Sequence, residues 1–218
     1  GYLISLAEVP ILARALGPTA YGELIWVQAT ALLASILVDY GFNLSASREI
    51  ARKRQDSLFV KQICGDVFLA KLILLVIVPL PLFIGYWLLT PISVGMALAG
   101  FLYFLGFGLT PFWYFQGMER MGRAVAIETL TRLIALVTLF YLIQTPDDKT
   151  MGLTIMALAS IVCTGITIAM CRVEVGRFRG SISGAVTQLR LSTTFFIYKS
   201  SGLLTSTAAT TVLGFVAG

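Results

Sequence analysis

MGLTIMALASIVCTGITIAM, residues Met151 to Met170, runs for twenty positions without a charged side chain. That length of α-helix matches the hydrocarbon thickness of a bilayer, which needs about 20 apolar residues. Lipid offers the backbone no hydrogen-bond partner, so a run of this kind must be a helix that satisfies its own N–H and C=O groups. Similar blocks recur along the chain. Hydrophobic residues make up 57% of the 218 positions, and the mean hydropathy is +0.88. The fold class is therefore all-α, a polytopic transmembrane helix bundle. The short alternating strands of an outer-membrane barrel are not seen.

Working outward from Met151–Met170 gives seven expected spans. The first ends near Leu12, broken by Ala13-Arg14-Ala15-Leu16-Gly17-Pro18. The others cover about Leu24–Ala46, Ile63–Leu89, Val94–Phe115, Ala124–Ile143 and Met151–Met170, with a seventh beginning near Leu191. The chain opens at Gly1 inside one apolar stretch and closes at Gly218 inside another, which reads as a fragment cut at both ends. Residues 1–171 then form a six-helix N-terminal lobe, 172–190 a basic linker, and 191–218 the incomplete first helix of a second lobe.

The sixteen basic residues sort by gap. Five, two and four lie after the second, fourth and sixth spans, against one, none and one after the first, third and fifth. By the positive-inside rule the even-numbered gaps and the N-terminus face the cytoplasm. Within Arg172–Arg190, the residues Val175, Phe178, Ile182, Val186 and Leu189 recur at helical spacing, as in an interfacial amphipathic helix. Gly180 and Gly184 argue equally for an irregular linker.

Six charges stand out inside the apolar runs: Asp39, Asp66, Lys71, Glu128, Arg132 and Lys199. An ionisable group in a bilayer core costs at least about 2.5–3.5 kcal/mol, so each needs a partner or a function. In the assigned orientation all six fall in the cytoplasmic half, consistent with a polar vestibule open to that side. Glu128 and Arg132 are four apart and share a helix face. Asp66 and Lys71 are separated by about 140° around their helix, which leaves Lys71 facing a partner helix or a ligand. Lys71 and Lys199 have no carboxylate three or four positions away, which favours a cavity-facing role. Asp39, Asp66 and Glu128 are read as ion-coupling or paired acids.

Other features concern packing. Pro79, Pro81 and Pro111 suit kinks; Ser160, Thr164 and Gly165 permit close helix approach; Trp26, Trp87 and Trp113 sit where interfacial anchors do. Cys64, Cys163 and Cys171 match no zinc spacing and read as core filler. The chain contains no histidine, nucleophile elbow or phosphate-binding loop. No catalytic residue, metal ligand, cofactor or nucleic-acid partner is assigned, and the chain is not read as an enzyme. A membrane-embedded glycan polymerase would need longer outer gaps, and a scaffold would have no use for embedded charge.

Three strings carry a resemblance. Pro10-Ile11-Leu12-Ala13-Arg14-Ala15-Leu16-Gly17-Pro18 with Tyr21-Gly22 resembles the first inter-helix connection of the O-antigen (Wzx-type) polysaccharide flippases, members of the multidrug/oligosaccharidyl-lipid/polysaccharide exporter superfamily. Asp39-Tyr40-Gly41-Phe42 with Ser45-Ala46-Ser47-Arg48-Glu49-Ile50-Ala51 is similar to the same family, as is Pro111-Phe112-Trp113-Tyr114-Phe115-Gln116-Gly117-Met118-Glu119-Arg120-Met121. The resemblance implies two pseudo-symmetric lobes around a cavity in the bacterial inner membrane. It implies ion-coupled alternating-access transfer of undecaprenyl-pyrophosphate-linked oligosaccharides to the outer leaflet. Partners so implied are that lipid-linked substrate, membrane lipids, and polysaccharide polymerase and chain-length machinery. Lys71, Arg132 and Lys199 become candidate ligands of the pyrophosphate. A lipid II flippase or a multidrug exporter of the same superfamily is the alternative.

Overall fold

In a computed structural model, residues 2–78 and 92–198 are described, and among them every regular element is helical. The first helix, α1 (Tyr2–Asp39), is broken at Gly17, whose φ of 72° and ψ of 170° are not helical. Pro18 supplies no N–H to bridge the break. Glu8 and Gln28 nonetheless line one cavity, whereas twenty residues of straight helix would separate them by about 30 Å. The two limbs therefore turn back on one another at Gly17, inside the stretch where the sequence places the first connection.

Tyr40 and Gly41, with φ of 43° and 80°, end α1. A separate helix, α2 (Phe42–Arg52), follows and buries Phe42, Ala46 and Ile50 on one face. The expected second span is thus cut at Tyr40-Gly41 instead of running to Ala46, because the left-handed backbone there cannot continue a helix. Next comes α3 (Ser57–Ile77), which starts before the expected Ile63 because the Asp56 carboxylate accepts the Phe59 N–H and caps it. The remainder of the third span, with Pro79, Pro81 and Trp87, lies outside the described residues.

Ser93 caps α4 (Val94–Leu109). Thr110-Pro111 interrupts the expected fourth span, and the short α5 (Phe112–Gly117) completes it. Beyond Glu119 come α6 (Met121–Leu142) and α7 (Lys149–Val175). Gly176, at φ 82°, ends α7, and α8 occupies residues 182–198. The stretch Arg172–Arg190 is therefore neither wholly helical nor wholly irregular. The helix containing Leu191 begins at residue 182, turning Ala185, Gln188 and Ser192 inward and Ile182 outward.

Four apolar stretches are long enough to cross a membrane among the described residues: Leu6–Arg52, Val94–Gly117, Met121–Leu142 and Pro146–Val175. Packing centres on α4, which lies against α7 and α1. A Cβ at Gly106 would stand 2.1 Å from the Ser160 hydroxyl, so the α4–α7 approach requires glycine there. Gly165, read as a close-approach residue, faces open space instead. Trp113 is a second correction: it is fully buried, edge-on to Phe68 at 5.7 Å, and anchors nothing at an interface. The three cysteines are buried and unlinked.

Candidate functional site

A cavity of about 270 Å³ lies between the limbs of α1 and the helices α4, α6 and α7. On α6 its wall is built by Glu128, Thr131, Arg132 and Ala135. Spacings of three and four put these on one stripe. The opposite stripe, with Leu130, Ile134 and Phe140, faces outward. An apolar sequence with one polar stripe thus sends that stripe to the one place where it is not against lipid.

Arg132 and Glu128 pair at 3.1 Å, as their spacing predicts. The guanidinium also lies 5.6 Å over the Phe107 ring, a cation–π arrangement. Across the cavity, the Gln28 amide donates to the Tyr103 hydroxyl at 3.0 Å. Glu8 enters from the first limb of α1 and is within electrostatic reach of Arg132. The sequence reading passed over Glu8, although it is an acid inside an apolar run and meets the same criterion as the other six. Gln28 and Tyr103 carry no charge and left no comparable signal.

Lys71 does not line this cavity. It is 1% exposed, with its ammonium 3.4 Å from Asp39 Oδ1 and donating to the carbonyls of Gly108 at 3.0 Å and Thr110 at 3.4 Å. The last carbonyls of a helix have no intrahelical donor, and Pro111 cannot supply one. Lys71 fills that gap at the end of α4, where a cation also suits the helix dipole. Thr110 and Thr164 hydroxyls both donate to the Gly106 carbonyl, at 2.7 and 2.5 Å. Asp39 further accepts from the Asn43 amide at 2.9 Å. The expected cavity-facing orientation of Lys71 gives way here to a buried junction between the ends of α1 and α4.

Asp66, 4% exposed, pairs with no cation in its helix. Its carboxylate accepts the Ser181 N–H at 2.8 Å, at the start of α8, where the helix dipole favours negative charge. Gly65, Gly180 and Gly184 surround it so closely that a Cβ on any of them would collide with backbone or with the carboxylate. Lys199 lies outside the described residues.

Exposed ion pairs sort the gaps into two faces. Arg54 holds Glu119 through both oxygens, at 2.5 and 2.7 Å, and its hydrogen bond and charge keep that carboxyl below the ordinary range. Glu174 binds Arg120 at 2.8 Å and Arg123 at 3.0 Å. These contacts join the gaps after the second, fourth and sixth spans. Lys149 and Glu23, at 2.6 Å, join the gaps after the fifth and first.

The polysaccharide biosynthesis protein family matches residues 1–218. Two similar proteins each bear the name "Putative O-antigen transporter". That of Escherichia coli (strain K12) is 31% identical over 228 residues, covering 100% of this chain and 53% of the relative. That of Shigella dysenteriae is 28% identical over 177 residues, covering 78% of this chain and 43% of the relative. The chain thus spans about half the length of the curated relatives it matches. No solved structure matches it.

Proposed function

This chain belongs to the polysaccharide biosynthesis protein family, and from that premise we propose that it is the N-terminal lobe of a flippase for lipid-linked oligosaccharides. The substrate is an undecaprenyl-pyrophosphate-linked glycan of the O-antigen class, carried from the inner to the outer leaflet of the bacterial inner membrane by ion-coupled alternating access. The N-terminus and the even-numbered gaps face the cytoplasm. Residues 1–171 belong to the lobe, a linker opens at Arg172, and α8 starts the partner lobe.

One observation carries this reading: a guanidinium, Arg132, is held at the wall of a cavity inside an otherwise apolar helix bundle. Charge is expensive there, and a pyrophosphate is a ligand whose oxygens match the guanidinium fork. Lys71 is occupied by Asp39 and two carbonyls, so of the two candidate cations among the described residues Arg132 is assigned the headgroup. The test is Arg132→Ala in the full-length protein. Surface polysaccharide should fall at least about tenfold at equal protein level, the loss of one charge-assisted pair, with lipid-linked units accumulating on the inner leaflet. Arg132→Lys should recover part of it. Normal surface display by Arg132→Ala would end the assignment.

A further inference from the structure

The acids first read as ion-coupling candidates are engaged elsewhere or tethered. Asp39 lies in the buried junction with Lys71, and Asp66 holds the start of α8. Glu128 is tied to Arg132 on its own helix. Glu8 remains, half-buried at the cavity wall on a different helix limb from Arg132. We infer that Glu8 is the proton-binding residue of the transport cycle, taking up a proton when an anionic headgroup occupies Arg132. This assignment rests on the transport reading above.

The argument is electrostatic. In the cavity two carboxylates, Glu8 and Glu128, line the wall with the Arg132 guanidinium, which pairs with Glu128 at 3.1 Å and acts on Glu8 through its field across the cavity. The other titratable groups on its wall are Tyr21 on α1, Tyr103 on α4 and Cys163 on α7. None of these carries positive charge near neutral pH, so among the described residues Arg132 is the sole cation in the wall. A pyrophosphate that engages Arg132 removes the counter-charge from Glu8 and adds a negative neighbour. Both changes favour the protonated carboxyl. Glu128 keeps its place beside Arg132 because four residues of one helix tether the pair, whereas Glu8 reaches in from across the cavity. Anion and proton therefore bind together, and the proton offsets part of the charge brought into the low-dielectric interior. Linkage requires the converse: the anion binds more weakly as pH rises.

The experiment titrates purified full-length protein with a polyprenyl pyrophosphate in weakly buffered solution near pH ~8, where the pyrophosphate is ionised. A pH-indicator dye reports proton uptake. Wild type should take up close to one proton per anion, and its affinity should fall by up to about tenfold per pH unit. Glu8→Gln should bind with no pH slope beyond the ligand's own and no uptake, while Glu8→Asp should restore both with a shifted midpoint. Glu23→Gln, at the exposed pair with Lys149, should behave as wild type. Binding by wild type without proton uptake, or an unchanged slope in Glu8→Gln, overturns the inference and leaves the transport reading standing. Failure of wild type to bind overturns the transport reading and takes this inference with it.

Discussion

Gly65→Ala tests how α8 is docked on α3. The added Cβ would lie 2.3 Å from the Gly180 nitrogen and 2.4 Å from the Arg179 carbonyl carbon. Both are backbone atoms, so no rotamer change can relieve the clash. To reach ordinary contact the segment ahead of α8 must retreat by about 1 Å. The Ser181 N–H to Asp66 bond, now 2.8 Å, would then stretch beyond hydrogen-bonding range. Losing a hydrogen bond to a charged group costs about 1.5–3 kcal/mol. If the segment holds its place instead, overpacking costs about 1–3 kcal/mol. Either route predicts a loss of about 2 kcal/mol, read by denaturant unfolding of detergent-solubilised full-length protein. The two routes separate in a double-mutant cycle with Asp66→Ala. Retreat predicts a coupling of at least about 1 kcal/mol, because the bond can be lost only once. Wild-type stability for Gly65→Ala would refute the close approach itself, and additive costs would refute the role of Asp66 in it.

Two further predictions address the other charges. Lys71→Met should leave Asp39 and the Gly108 and Thr110 carbonyls without their cation, destabilising the bundle by about 3–5 kcal/mol. Adding Asp39→Asn should recover part of that loss in the same unfolding assay, which a substrate-binding lysine would not show. For the exposed Arg54–Glu119 pair, the Glu119 carboxyl is depressed in the folded state from an ordinary value of 4.5. Its contribution is therefore present above pH 4.5 and lost as pH falls through the depressed value. The stability difference between wild type and Arg54→Ala, small because both side chains are exposed, should be measurable at pH 7 and vanish in acid. A difference that grows toward low pH would contradict the pairing.

Legibility followed the range of the interaction. Glu128 and Arg132 were readable as a pair because helix geometry alone brings positions four apart together. The Gly17-Pro18 break was readable because both residues act on the backbone locally. The Lys71–Asp39 pair spans 32 positions and two helices, and the Asp66–Ser181 bond spans 115, so no local rule finds either. Trp113 shows the same limit. Its place near the end of an apolar run suggested an interface, but the chain turns at Thr110-Pro111 and carries it into the core.

The residues by themselves determined that this is a helical membrane protein, that its first helix breaks at Gly17-Pro18, and which gaps share a side. Those properties follow from single-residue transfer energies and backbone sterics, which need no neighbour. Tertiary structure decided what each embedded charge does. It turned Lys71 and Asp39 into a buried junction, made Asp66 the anchor of α8, and left Arg132, Glu128 and Glu8 around the cavity. A charge in an apolar interior is defined by the group opposite it, and that group is chosen by the packing of distant helices.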